Sequence, residues 1–159
     1  MKWTRLILAT SVILLIILDQ LVKQWARVNL MFAGRIPIIE GIIGFRFTTN
    51  AGAAFGILQD ARWFFVILTI IVIAVIIYFE FKFPYTKESL WIRIPVALIL
   101  AGAVGNFIDR LLFGYVVDMF EFLFINFPIF NVADILLVIG TFAYALVVLF
   151  ILKEPKKGA

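Results

Sequence analysis

Asp118 and Asp134 stand on either side of one short aromatic segment, in a chain with few other means of hydrolysis. Its 159 residues include no Cys and no His. That removes disulfides, thiol nucleophiles, thiolate or imidazole zinc sites, and every Ser–His or Cys–His arrangement. Chemistry on a scissile bond must then rest on carboxylates, Lys, Tyr or hydroxyls. If the segment between the two aspartates joins adjacent antiparallel helices, it brings the helix ends together and the carboxyl groups can meet. Two carboxyls a few ångströms apart do not ionise together, so one keeps a proton near neutrality while the other is a base. Such a pair can hold and activate a water molecule. A helix N-terminus at Asn131 makes Asp134 the natural base and Asp118 the proton holder, within a pair that titrates as a unit. Each residue also has a plainer reading. Asp118 follows Gly114-Tyr115-Val116-Val117 and would serve as a loop aspartate in water. Asp134 would be the third residue of a helix capped by Asn131, reaching back to the cap.

Other polar residues interrupt apolar sequence, where a charge at membrane depth costs ~2.5–3.5 kcal/mol. Asp19 and Lys23 have i, i+4 spacing, which suits a helical ion pair or a snorkelling Lys; alternatively Asp19 orients another polar group. Asn106, Asp109 and Arg110 share one helical face just after Ala101-Gly102-Ala103-Val104-Gly105, a run of small residues that lets a neighbouring helix come close. They form either a satisfied polar seam or a guanidinium and amide placed to hold a peptide carbonyl. Glu121 reads as a solvated interfacial charge.

The elements that must position these residues follow from composition. The chain is 65% hydrophobic, against ~45–50% for an ordinary soluble domain, and its mean hydropathy is +1.14. Four apolar stretches stand out, running from about residue 6 to 22, 63 to 79, 94 to 112 and 132 to 152. Lipid leaves helix as the only way for such a stretch to pair its backbone. The expected fold is an all-α membrane protein with four transmembrane helices, in one domain over residues 1–159. The first stretch resembles a secretory signal, but Asp19, Gln20 and Lys23 follow it without a small-residue cleavage pattern, so it is a retained span.

Lys2, Arg5, Lys82, Lys87, Arg93, Lys153, Lys156 and Lys157 outnumber Arg27, Arg35, Arg46 and Arg62 on the other side, which puts both termini in the cytoplasm. The net charge of +4 sits at span ends, which suits anionic lipid headgroups and not nucleic acid. Residues 35–48, β-branched and punctuated by Gly and Pro, predict a small β-rich outer segment at the membrane interface. The small residues from Asn50 to Gly56 then suit a close backbone approach. In the second outer segment, Phe120, Phe122, Phe124, Phe127 and Phe130 would dip into the membrane surface.

Taken in order, Asp19-Gln20-Leu21-Val22-Lys23, Asn50-Ala51-Gly52-Ala53-Ala54-Phe55, Gly105-Asn106-Phe107-Ile108-Asp109-Arg110, Val116-Val117-Asp118 and Asn131-Val132-Ala133-Asp134 resemble the lipoprotein signal peptidase (signal peptidase II) family over nearly the whole chain. The resemblance implies an intramembrane aspartic endopeptidase of the bacterial cytoplasmic membrane. Its catalytic dyad would be Asp118 and Asp134, near the outer face. Its substrates would be diacylglyceryl-modified prolipoproteins, cut just before the lipidated cysteine. Asn50, Gly52, Asn106, Arg110 and Asn131 would line or support the substrate site, with Asp19, Lys23 and Asp109 as structural polar support. No cofactor or metal is implied, and a monomer would suffice. Three positions depart from the family pattern: Ile135 where Ser is frequent, Met119 where Phe is usual, and Thr49 where an aromatic or basic residue is common. Two other classes compete. A small proton-coupled transporter would also carry intramembrane acids, though with internal repeats or one acid at mid-membrane. A non-enzymatic assembly factor would tolerate Asp118→Asn and Asp134→Asn.

Overall fold

A computed structural model describes residues 2–53 and 57–151. The motif residues Ala54, Phe55 and Gly56, the far end of the fourth apolar stretch, and Lys153, Lys156 and Lys157 lie outside the described residues, as does the side chain of Lys2. The chain order is α1 (Lys2–Asn29), β1 (Arg35–Ile39), β2 (Ile43–Asn50), α2 (Arg62–Lys82), α3 (Leu90–Phe113), β3 (Val116–Phe122) and α4 (Val132–Leu146), the last continuing into a π-helical turn, Val147–Ile151. Among the described residues, four helices are long and apolar enough to cross a membrane. Their exposed faces carry Ile, Leu, Phe and Trp, the reverse of a soluble bundle and the pattern a lipid solvent selects.

The first helix runs further than its apolar stretch, through Lys23 to Asn29. The extension persists because Ala26 and Leu30 bury themselves against Val117 and Met119 of β3. Helix α3 is the hub against which α1, α2 and α4 lie. Its small residues permit this. A Cβ on Gly102 would stand 2.4 Å from the Ala133 carbonyl oxygen, and one on Gly105 would stand 2.6 Å from Asp19 Oδ2.

The expected β-rich segment is a hairpin, β1 with β2, pairing Arg35 with Arg46 and Ile36 with Phe45. The second outer segment differs from expectation. Its first half, where no strand was expected, forms a third antiparallel strand, giving the order β1-β2-β3. Thr48 stands opposite Asp118 and Phe45 opposite Phe120, with a bulge between the two pairs. Phe120, Phe122 and Phe130 gather into one ring cluster, with Phe122 and Phe130 centroids 5.1 Å apart. Phe124 and Phe127 pack against Phe122, each ring centre 5.7 Å away, but keep their outer faces exposed.

Glu121 is also not a solvated charge. It is buried, accepting from Arg35 at 2.6 Å on each carboxylate oxygen and from Arg46 Nη1 at 3.3 Å. The cross-strand pairing that sets Arg35 beside Arg46 forces two like charges together, and Glu121 offsets them. Arg35 holds the Glu121 carboxyl below its usual range, outweighing burial.

Candidate active site

Asn131 organises the site. It caps α4 by accepting from the Asp134 backbone N–H at 2.9 Å, while its own N–H donates to Asp134 Oδ2 at 3.1 Å. The capping box expected from Asn131 and Asp134 is therefore present. It does not use up either side chain. The Asn131 amide, wholly buried, also donates to Asp118 Oδ1 at 2.6 Å and Asn106 Oδ1 at 3.2 Å. Asn106 in turn donates to Asp134 Oδ1 at 2.8 Å. Two amides thus hold Asp118, from β3, and Asp134, from α4, in one hydrogen-bonded set. Asp118 is only 2% exposed, so it is not a loop aspartate in water. Burial first, and the charge of Asp134 second, push its carboxyl up to about 7, against the opposing hydrogen bond from Asn131.

Beneath this set lies a neutral ionic seam. Lys23 is fully buried, not snorkelling. Its Nζ lies 2.9 Å from Asp19 Oδ2 and 3.4 Å from Asp109 Oδ2, and donates to Asn106 Oδ1 at 2.9 Å. Arg27 Nη2 reaches Asp109 Oδ1 at 3.2 Å, so two cations match two anions. Asp19 combines both roles expected of it, since its Oδ1 also accepts from the Ala133 N–H at 2.8 Å in the first turn of α4. Asp109 likewise accepts from the Val117 N–H at 3.0 Å. The residues flanking each site aspartate are therefore anchored to a buried carboxylate, and such a seam fixes position at little net gain in stability. Arg27 was not among the expected site residues. Its signal was present in the sequence: residues 19, 23 and 27 repeat at i, i+4 along one helix face.

Asn106, Asp109 and Arg110 divide their work. Arg110 turns away from the seam, its guanidinium 4.6 Å from the Phe65 ring centre of α2. Its Nη2 donates to the Gly52 carbonyl at 3.0 Å, and its buried Nε has no partner among the described residues. Gly52 N–H donates to Asn50 Oδ1 at 2.9 Å. A Cβ on Gly52 would lie 2.6 Å from the Ile57 carbonyl oxygen, so this turn admits no side chain there.

Asn50, Gly52, Asn106, Arg110, Asp118 and Asp134 all line one cavity of about 480 Å³, otherwise walled by apolar side chains of α4 and the aromatic segment. A second chamber of about 360 Å³, lined by Thr48, Thr49, Gln59 and Asn126, shares Asn50 and Asp118 with the first. Of the three departures, Ile135 borders the first cavity and Thr49 the second, while Met119 is buried in the core beneath the sheet. Among the described residues no three acidic side chains converge as metal ligands would.

The fold and site define a multi-pass membrane protein with a shared carboxyl pair beside an apolar cavity. The family model described as signal peptidase (SPase) II matches residues 11–150. Lipoprotein signal peptidases from Streptococcus pyogenes serotype M5 (strain Manfredo) and serotype M18 (strain MGAS8232) are each 43% identical over 148 residues, covering 93% of this chain and 94% of theirs. A bacterial membrane enzyme solved by the in meso method at 2.3 Å resolution superposes with a TM-score of 0.81 at 31% identity, over 95% of this chain and 94% of that one. Another, at 1.9 Å, gives 0.78 and 32%, over 93% and 94%. The chain belongs to the signal peptidase II family of aspartic peptidases. The transporter and assembly-factor readings fall with that assignment.

Proposed function

We propose that Asp118 and Asp134 are the catalytic dyad, and that the substrate is a prolipoprotein whose diacylglyceryl-modified cysteine follows the cleaved bond. The observation that carries this reading is the joint hold of Asn131 and Asn106 on both carboxyls, at the junction of an apolar and a polar cavity. The apolar cavity suits acyl chains and a signal segment arriving laterally from lipid. The polar chamber suits water.

Asp134, accepting on both oxygens, is the base that takes a proton from water as its oxygen attacks the carbonyl carbon. Asp118, the proton holder, protonates the carbonyl oxygen. The tetrahedral intermediate collapses when a proton reaches the amide nitrogen and the C–N bond breaks, leaving a carboxylate on the signal peptide and an amine on the cysteine. Arg110, through Gly52, fixes the turn beside the dyad. The protein acts as a monomer in the bacterial cytoplasmic membrane, with both termini inside and the sheet at the outer face.

Purified protein incubated with lipidated and unmodified prolipoprotein should shift the mobility of the lipidated form only. Equal cleavage of the unmodified form overturns the substrate assignment. Undiminished cleavage by Asp134→Asn overturns the dyad. Because the chain lacks cysteine, single cysteines at Gln59 and Lys87 report topology. An impermeant thiol reagent in intact cells should label the first and spare the second.

A further inference from the structure

The other end of the bundle carries a second polar cluster that the peptidase chemistry does not use. At ~1.5 Å per residue, Arg5 lies about 21 Å along α1 from Asp19, and Arg93 about 24 Å along α3 from Asp109. Between them sits Tyr85, in the α2–α3 connection and only 3% exposed. The Arg93 guanidinium lies 4.1 Å from its ring centre and that of Arg5 4.8 Å.

Arg93 is fully committed. It pairs with Glu80 and donates to Ser89 Oγ at 3.1 Å and to the Phe83 and Pro84 carbonyls at 3.1 and 3.3 Å. Two groups remain unmatched. Arg5 has no hydrogen bond or ion pair among the described residues, and the buried Tyr85 hydroxyl has no partner there. Burial raises the Tyr85 pKa, followed by the Glu80 charge, so the hydroxyl stays a donor. Both groups border a cleft of about 160 Å³ together with the paired Glu80 and Arg93, and its remaining walls are aliphatic side chains of α1, α2 and α3.

We propose that this cleft binds one anionic phospholipid, its phosphate received by Arg5 and the Tyr85 hydroxyl and its acyl chain laid against the apolar walls. Charge complementarity selects the ligand. Glu80 is neutralised by Arg93, so the unpaired charge is the Arg5 cation. A zwitterionic headgroup would add a fixed ammonium charge beside two guanidinium groups, where the carboxylate facing the cleft, Glu80, is already paired with Arg93, and a free phosphate would leave the apolar walls empty. The inference is independent of the peptidase reading, since neither unmatched group touches the aspartate pair.

Native mass spectrometry of the delipidated full chain, titrated separately with phosphatidylglycerol, phosphatidylcholine and inorganic phosphate, tests it. One phosphatidylglycerol should be retained in preference to phosphatidylcholine, with no phosphate adduct. Arg5→Gln should weaken that retention about fivefold, the loss of one cation at a lipid surface. Tyr85→Phe keeps the ring and should weaken it as well, whereas Lys87→Gln, an exposed charge on the same connection, should not. Equal retention by wild type and Arg5→Gln overturns the proposal. So does equal binding of phosphatidylcholine, or a Tyr85→Phe variant that holds phosphatidylglycerol unchanged, which would mean that a buried water satisfies the hydroxyl. Cleavage of lipidated substrate in lipid-free detergent should be unchanged in Arg5→Gln, so failure of either reading is visible without the other.

Discussion

Replacing Asp118 by Asn keeps the size and shape of the side chain and removes only its capacity to exchange a proton. The amide oxygen can still accept from Asn131 Nδ2, now at 2.6 Å from Asp118 Oδ1, so the buried set stays connected. Two consequences have different signs. On the proposed mechanism catalysis loses its acid, a loss of about 10²–10⁴ in rate, or about 3–5 kcal/mol of barrier. Stability changes the other way. The Asp118 carboxyl ionises at about 7 in the folded protein against an ordinary 3.8. A raised carboxyl makes its full contribution below the unfolded value and loses it as pH rises through the folded one. At about 1.4 kcal/mol per pH unit, the wild type gives up at most about 4 kcal/mol between pH 4 and pH 7. That is a ceiling, because part of the rise comes from Asp134 and belongs to the pair. The variant has no such carboxyl. Single-turnover cleavage of lipidated substrate, with thermal unfolding in detergent at pH 5 and pH 8, measures both effects. The expected result is lost cleavage with a smaller fall in unfolding temperature from pH 5 to pH 8 than in wild type. Cleavage within twofold of wild type refutes the acid role, and an identical fall with pH refutes the electrostatic reasoning. Wild-type activity should decline as pH rises through about 7, as Asp118 gives up its proton.

Lys23→Met removes the ammonium between Asp19 and Asp109 and should cost about 3–5 kcal/mol, read as a lower unfolding temperature; an unchanged midpoint would mean that Arg27 carries the seam alone. Gly102→Ala puts a methyl group 2.4 Å from the Ala133 carbonyl oxygen, so α3 and α4 must part at a cost of about 1–3 kcal/mol. Because Asp134 moves with α4, kcat should fall more than KM rises; wild-type kinetics would show that the contact relaxes elsewhere. Glu121→Gln should destabilise the sheet at neutral pH. The Glu121 carboxyl is held below its ordinary 4.5, so its contribution exists above that value and disappears as pH falls through the folded one. Wild type and variant should therefore converge in acid, and a constant gap in unfolding temperature from pH 7 to pH 3 would rule out the ion pair as its source.

Much of the molecule is determined by the order of residues alone. The four helices follow from long, predominantly apolar runs, because lipid offers the backbone no other partner. The β1–β2 hairpin follows from β-branched residues punctuated by Gly and Pro, and the α4 cap from the type and spacing of Asn131 and Asp134. These signals are local. The third strand was hidden because Asp118 and Glu121, three residues apart, break the period-2 alternation of a strand in Val116–Phe122, and its partner β2 lies far away in sequence. Glu121 was misread for the same reason: its charge acquires a function only when β-pairing sets Arg35 beside Arg46.

The sequence could name Asp118, Asp134, Asn106 and Asn131 as candidates, but it could not say what connects them. Tertiary structure decided that the two asparagines link the carboxyls, that Asp19 and Asp109 anchor the backbone beside each one, and that Arg110 serves a turn instead of the seam. It also decided where Asp118 lies. A residue that reads as a loop aspartate becomes a 2% exposed carboxyl, because α1 continues past its apolar run and buries the strand that carries it. Burial and the proximity of a second charge are properties of the packed chain, and they set the proton affinity on which the chemistry depends.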